Sequence, residues 1–166
     1  MFACLKQSRN SLVLLLILSF YPCIKAQTTQ KQIRYTPIGT FYSEYTPKAG
    51  APRQGILMPE GKGKIKIFEE YQGALKMLDW FEYIIVIYHF HEVIGWKPCV
   101  NPPSSSHEFG LFATRSPKRP NPIGFAIIKL DRIENGILYV SGIDAFNGTP
   151  VLDLKPYLPS VDCIKS

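Results

Sequence analysis

Polar and apolar residues alternate in short stretches along most of the chain, and proline or glycine interrupts them every few residues. Lys64-Ile65-Lys66-Ile67-Phe68 alternates strictly, which is the period of a half-buried strand. Trp80–Phe90 (WFEYIIVIYHF) is almost continuously apolar and rich in β-branched and aromatic residues, so it predicts a central strand buried on both faces. Ile33–Phe41, with Gly39 inside it, Gly110–Thr114, Phe125–Ile133, Ile137–Ile143 and Thr149–Leu154 read as further strands. Glu134-Asn135-Gly136 joins two of these as a hairpin, because Asn-Gly tolerates the positive φ of a tight turn. Glu69–Asp79, with Tyr71, Leu75 and Leu78 to one side, predicts the one short helix. Tyr42–Gly55 and Val93–Phe109 read as irregular, Gly61-Lys62-Gly63 as a turn, and Lys155–Pro159 as a turn-rich tail. About seven short strands and one helix predict an all-β fold closed, or nearly closed, into a barrel, which hides strand edges.

The first 26 residues break this pattern. Lys6 and Arg9 precede the apolar run Leu12–Tyr21, Pro22 ends it, and Ala26 supplies a small residue before Gln27. That order is the order of a secretory signal peptide, and an apolar core of about 10 to 12 residues is short of the ~20 that span a bilayer. The expected organisation is a signal peptide or N-terminal anchor over 1–26, a polar linker over 27–32 and the barrel over 33–164. Removing Lys6, Arg9 and Lys25 from the 19 basic residues leaves 16 against 13 acidic ones, a surplus of only +3. Charge alone therefore does not indicate a nucleic-acid partner, and any such case rests on clustering. Apolar residues at 46% and charged residues at 19% exclude a disordered chain, and 14 prolines exclude a long helical bundle. Cleavage would also remove Cys4 and Cys23, leaving Cys99 and Cys163 either to pair or to remain buried thiols.

No GxGxxG and no Walker sequence occurs, so neither a dinucleotide site nor a P-loop is indicated. His89 and His91, two apart on a strand, face the same way and with His107 suggest a zinc site, but no carboxylate or cysteine completes the set, so no metal is expected. His91-Glu92 stands where a barrel strand ends and a site can open. Pro52-Arg53-Gln54-Gly55 holds several donors on a loop bounded by Pro and Gly, fit to orient a planar polar group. Thr114–Gly124 sets Arg115, Lys118 and Arg119 among prolines, and such stiffening reduces the entropy lost on binding. Asp144-Ala145-Phe146-Asn147-Gly148-Thr149-Pro150 is a second such turn, in which Asp144 and Asn147 are either turn formers or ligands.

Taken in order, these stretches resemble the TsaA-like family of TrmO-type tRNA methyltransferases, from about Ile33 to Cys163. The likeness is carried by Ile38-Gly39, Pro52–Gly55, Phe90-His91, Gly110–Pro117, Arg119–Gly124, Ser141–Asp144 and Gly148–Tyr157. The resemblance implies a β-barrel that binds S-adenosylmethionine, often as a homodimer with the cofactor near the subunit interface. It also implies methylation of N6 of threonylcarbamoyladenosine beside the tRNA anticodon. On the same basis Pro52, Arg53, Gln54, His91, Glu92, Arg115, Phe125, Ala145, Phe146, Asn147 and Gly148 are expected to contact the cofactor, and Lys118 and Arg119 the tRNA. Methyl transfer from a sulfonium needs alignment of the acceptor nitrogen and removal of one proton, for which His91 or Asp144 is the expected acceptor. Asn147 and Ala126 differ from the acidic and hydroxyl residues more usual there, and the additional C-terminal domain of longer members does not follow Tyr157. Export would separate the barrel from both cofactor and tRNA, so the alternative expectation is an exported or membrane-tethered, non-catalytic barrel holding a different small ligand.

Overall fold

The structure, a computed structural model, describes residues 32–103 and 105–164. The signal-like segment 1–26 and nearly all of the expected linker lie outside the described residues. From Tyr35 onward the chain forms one compact unit. Its strands are β1 (Gly39–Tyr42), β2 (Lys62–Ile67), β3 (Tyr83–His89), β4 (Cys99–Val100), β5 (Phe109–Gly110), β6 (Ile123–Glu134), β7 (Ile137–Ser141) and β8 (Pro150–Pro156). Six of them close into an antiparallel barrel in the order β1-β2-β7-β6-β3-β8, with β8 returning to β1 through the pair Gly39↔Val151. The remaining pair, β4 and β5, forms a short ribbon beside it.

Alternation builds the core. Ile65 and Ile67 of β2, Ile84, Val86 and Tyr88 of β3, Ile128 of β6, Leu138 and Val140 of β7 and Val151 of β8 all point inward and are buried. The central strand is buried on both faces over Ile84–Val86, as its apolar run predicts. Asn135 and Gly136 both take positive φ, 50° and 74°, in the expected hairpin turn between β6 and β7. Elsewhere the local expectations shift. The chain enters its first ladder only at Gly39, so Ile33–Ile38 is not strand. Phe109–Gly110 is a strand, but Leu111–Ala113 coils into a 3-10 turn. The expected helix becomes two 3-10 segments, Glu69–Leu75 and Leu78–Trp80, parted by Met77 in the left-handed region at φ 65°. Leu75 and Leu78, on either side of that break, both still pack against the core. The tail contains a single α-turn, α1 (Pro159–Asp162), where only turns were expected. Cys99 and Cys163 are free thiols, the first half-buried and the second exposed, so they neither pair nor form two buried thiols.

One close approach ties the core to the barrel mouth. Gly124 of β6 lies opposite Tyr88 of β3, and a Cβ there would come within 2.2 Å of the Tyr88 ring, which is 3% exposed and cannot swing aside. Gly124→Ala is therefore expected to cost about 1–3 kcal/mol of stability in urea denaturation. Gly110→Ala, with open space around it, is expected to leave the midpoint unchanged or slightly raised.

Candidate functional site

The antiparallel order brings the end of β3 and the start of β6 to one mouth of the barrel, since His89 pairs with Ile123. The loop after β1, the loop after β5 and the turn between β7 and β8 converge on the same mouth. Together they line a cleft of about 1020 Å³. Of the sequence-expected residues, Pro52, Arg53, Gln54, His91, Glu92, Arg115, Phe125, Asp144, Ala145, Phe146 and Arg119 all line it. Asn147, Gly148 and Lys118 do not. Asn147 instead accepts the Ser43 backbone N–H through Oδ1 at 3.3 Å, and its own N–H donates to the Tyr45 carbonyl, so it pins the turn. Gly148, at φ 81°, turns the backbone beneath His91. Ala126 is 9% exposed in the core cluster, away from the cleft lining.

Several hydrogen bonds order this wall before any ligand arrives. Arg115 Nη1 donates to Gln54 Oε1 at 2.6 Å, and Gln54 Nε2 donates to the Arg53 carbonyl at 2.7 Å, linking two loops 61 residues apart. Arg119 Nη1 donates to the carbonyls of Thr114 and Ser116, and its guanidinium lies 5.6 Å from the Phe112 ring centroid. It therefore clamps the proline-rich loop from within. His91 is held on both sides, with Nδ1 3.3 Å from the buried Thr149 hydroxyl and Nε2 3.4 Å from Glu92 Oε1.

At the floor of the cleft, Asp144 accepts the Tyr88 phenol at 3.2 Å and the Gly55 backbone N–H at 3.3 Å. Gly55 is obligatory at that contact, because a Cβ would come within 1.8 Å of the Gly142 carbonyl oxygen. Burial raises the Asp144 pKa above its ordinary 3.8, outweighing the Tyr88 and Gly55 hydrogen bonds and the nearby Arg115 charge. Burial, followed by the Asp144 charge and hydrogen bond, also raises the Tyr88 pKa and keeps it a phenol donor. Sequence reasoning missed Tyr88 and Thr149, as well as Asn101, Pro102 and Pro103 from the loop read as irregular. Tyr88 continues the inward face of Ile84 and Val86 and is the last of the three before the barrel mouth, where it meets Asp144, so the sequence marks it only as core. Among the described residues no three His, Cys, Asp or Glu side chains come together as a metal site. A smaller cavity of about 450 Å³ beneath Leu75–Leu78 is mainly apolar.

A closed barrel whose mouth is lined by aromatic rings, guanidinium groups and a half-buried carboxylate defines a small-molecule-binding barrel. Residues 40–163 match the family described as the tRNA-methyltransferase O N-terminal domain, and the chain belongs to that family. The chain is 38% identical over 130 residues to a probable S-adenosyl-L-methionine-binding protein of Pyrococcus abyssi, covering 78% of this chain and 71% of that one. It is 38% identical over 133 residues to a tRNA (adenine(37)-N6)-methyltransferase of Rattus norvegicus, covering 76% of this chain and 31% of that one. The crystal structure of TrmO from Pseudomonas aeruginosa superposes with a TM-score of 0.69 at 34% identity, over 81% of this chain and 60% of that one. The chain thus spans most of the archaeal relative but about a third of the mammalian one.

Because the folded-state pKa of Asp144 is raised, the folded protein holds that proton longer than the unfolded chain does. The stabilising contribution is fully present below the ordinary value of 3.8 and is lost as pH rises through the raised value. Asp144→Asn, which cannot ionise, is expected to gain stability relative to the parent as pH rises through that window. Denaturant midpoints measured across the acid range check this, and a constant difference between the two proteins would contradict it.

Proposed function

We propose that the chain is an S-adenosylmethionine-dependent methyltransferase acting on tRNA adenine N6, with threonylcarbamoyladenosine beside the anticodon as the acceptor. The observation that carries this reading is the gathering of Arg53, Gln54, His91, Glu92, Arg115 and Phe146, dispersed over the sequence, into one cleft of about 1020 Å³. Family membership and the names of the relatives support the reaction class, while the particular acceptor is our extension.

The donor set suits such a cofactor. Phe90, Phe125 and Phe146 give apolar surface for a purine ring, Glu92 suits an ammonium, and Arg53 and Arg115 suit a carboxylate. The cofactor supplies an electrophilic methyl group when bound. The cleft residues would hold the acceptor nitrogen in line with that methyl and take the proton released as the N–C bond forms and the S–C bond breaks, the cofactor leaving as a neutral thioether. Asp144 is favoured over His91 for that proton, because both ring nitrogens of His91 already face Thr149 and Glu92, whereas the Asp144 carboxylate at the cleft floor keeps acceptor sites beyond its Tyr88 and Gly55 hydrogen bonds. A homodimer is part of the reading, since Ile123, Phe125 and Ile127 are 40–48% exposed along the outer face of β6 and Phe125 reaches the cleft rim. Residues 1–26 are proposed to be a targeting segment, tested by whether the purified protein begins at Gln27 or at Met1.

Calorimetric titration with S-adenosylmethionine is expected to give micromolar binding, and no binding at millimolar cofactor would refute the reading. Arg115→Ala is expected to weaken binding about ten-fold with the melting midpoint little changed, because its side chain is exposed and, among the described residues, its one side-chain hydrogen bond is to Gln54. Asp144→Asn is expected to bind the cofactor while losing most methyl transfer to tRNA bearing the threonylcarbamoyl group. Full activity in that variant would return the proton-acceptor role to His91.

A further inference from the structure

The outer face of the barrel carries a pattern that the cleft does not explain. β2 turns Lys62, Lys64 and Lys66 outward while Ile65 and Ile67 enter the core. The strand registers set Tyr42 opposite Lys64, Lys64 opposite Tyr139, and Tyr139 opposite Arg132. An aromatic–cation–aromatic–cation row therefore crosses four adjacent strands, β1, β2, β7 and β6. At a strand spacing of about 4.8 Å the row is roughly 14 Å long. Arg132 lies 3.5 Å and Lys64 5.3 Å from the Tyr139 ring centroid, while Tyr42 stands 45% exposed. None of the four lines the cleft.

The charge on this face is unbalanced. Lys62 pairs with Asp131, Lys129 with Glu82 and Arg132 with Glu134. Lys62 also donates to Ser141, whose hydroxyl donates to Asp131, so that lysine is committed to its neighbours. Among the described residues, Lys64 and Lys66 have no acidic partner within 4.0 Å. Two free cations about 6.6 Å apart on one strand, next to an exposed aromatic ring, match a polyanion that also offers flat bases to stack. A lipid surface fits less well, since the aliphatic side chain set beside Lys66 is Ile137, which is itself half-buried.

We propose that this face is a second RNA-contacting surface, in which Lys64 and Lys66 neutralise phosphates and Tyr42 is a stacking platform. The proposal rests on the reading of the chain as an RNA-modifying enzyme and adds where RNA beyond the reacting nucleotide lies. The test uses the full chain, an unmodified tRNA transcript and a salt series. Lys64→Glu/Lys66→Glu is expected to lower transcript affinity at least ten-fold and to reduce the slope of log affinity against log salt by about 1 to 2. Lys64→Arg/Lys66→Arg is expected to restore both, and Tyr42→Ala to lower affinity several-fold with the slope unchanged.

Lys64→Gln/Lys66→Gln gives the same comparison should charge reversal impair folding. Unchanged affinity and slope in the charge-removed variants would overturn the proposal. So would a loss of binding confined to phosphatidylserine vesicles, or a parent protein that binds cofactor but no transcript. Loss of cofactor binding with transcript binding intact and dependent on Lys64 and Lys66 would instead overturn the enzymatic reading and leave this surface standing.

Discussion

The stacking of Tyr88 over Gly124 is the constraint on which the site depends. Only the missing side chain of Gly124 lets the ring lie across β6, and only from there does the phenol reach Asp144 at 3.2 Å. The same carboxylate accepts the Gly55 N–H, which fixes the loop bearing Arg53 and Gln54. Gln54 in turn receives Arg115 from the proline-rich loop. A chain of contacts thus runs from a buried aromatic ring to groups at the cleft rim. The tight packing of the core is what gives those exposed donors defined positions.

Much of the site was legible in the sequence because its loops carry strong local signals. Pro52–Gly55, Arg115–Pro122 and Asp144–Pro150 combine rigid turn residues with charged or amide side chains, and all three meet at one mouth. The limits are equally physical. Tyr88 sits in the most apolar run of the barrel and reads as core, which it also is. It reaches the cleft because it is the last inward residue before the mouth, where Gly124 and Asp144 come to face it, and both partners are set by tertiary pairing. Asn147 and Gly148 were drawn in by their turn, but the turn consumes them in holding its own backbone. Arg119 has a double character, lining the cleft while spending its hydrogen bonds on Thr114 and Ser116.

The two faces of the molecule divide their chemistry. The cleft joins apolar rings to a few oriented charges and a half-buried carboxylate, an environment suited to a small ligand. The sheet face over β1, β2, β7 and β6 presents solvated cations on a rigid lattice, suited to a long, repeating polyanion. Both are set by period-two alternation, which sends isoleucines inward and lysines outward from the same strand.

The barrel closes by pairing its first strand with its last, with Gly39 opposite Val151. In this antiparallel arrangement β8 runs on past the start of β1 toward the rim opposite the cleft, where Pro156 at its end and Ile38 just before β1 line the same small cavity, and the Asn135-Gly136 turn lies at that rim too. The order of strands in space is therefore separable from their order along the polypeptide. A circular permutant that joins β8 to β1 and opens the chain at Asn135-Gly136 would cut no loop that lines the cleft and would begin and end on the far rim.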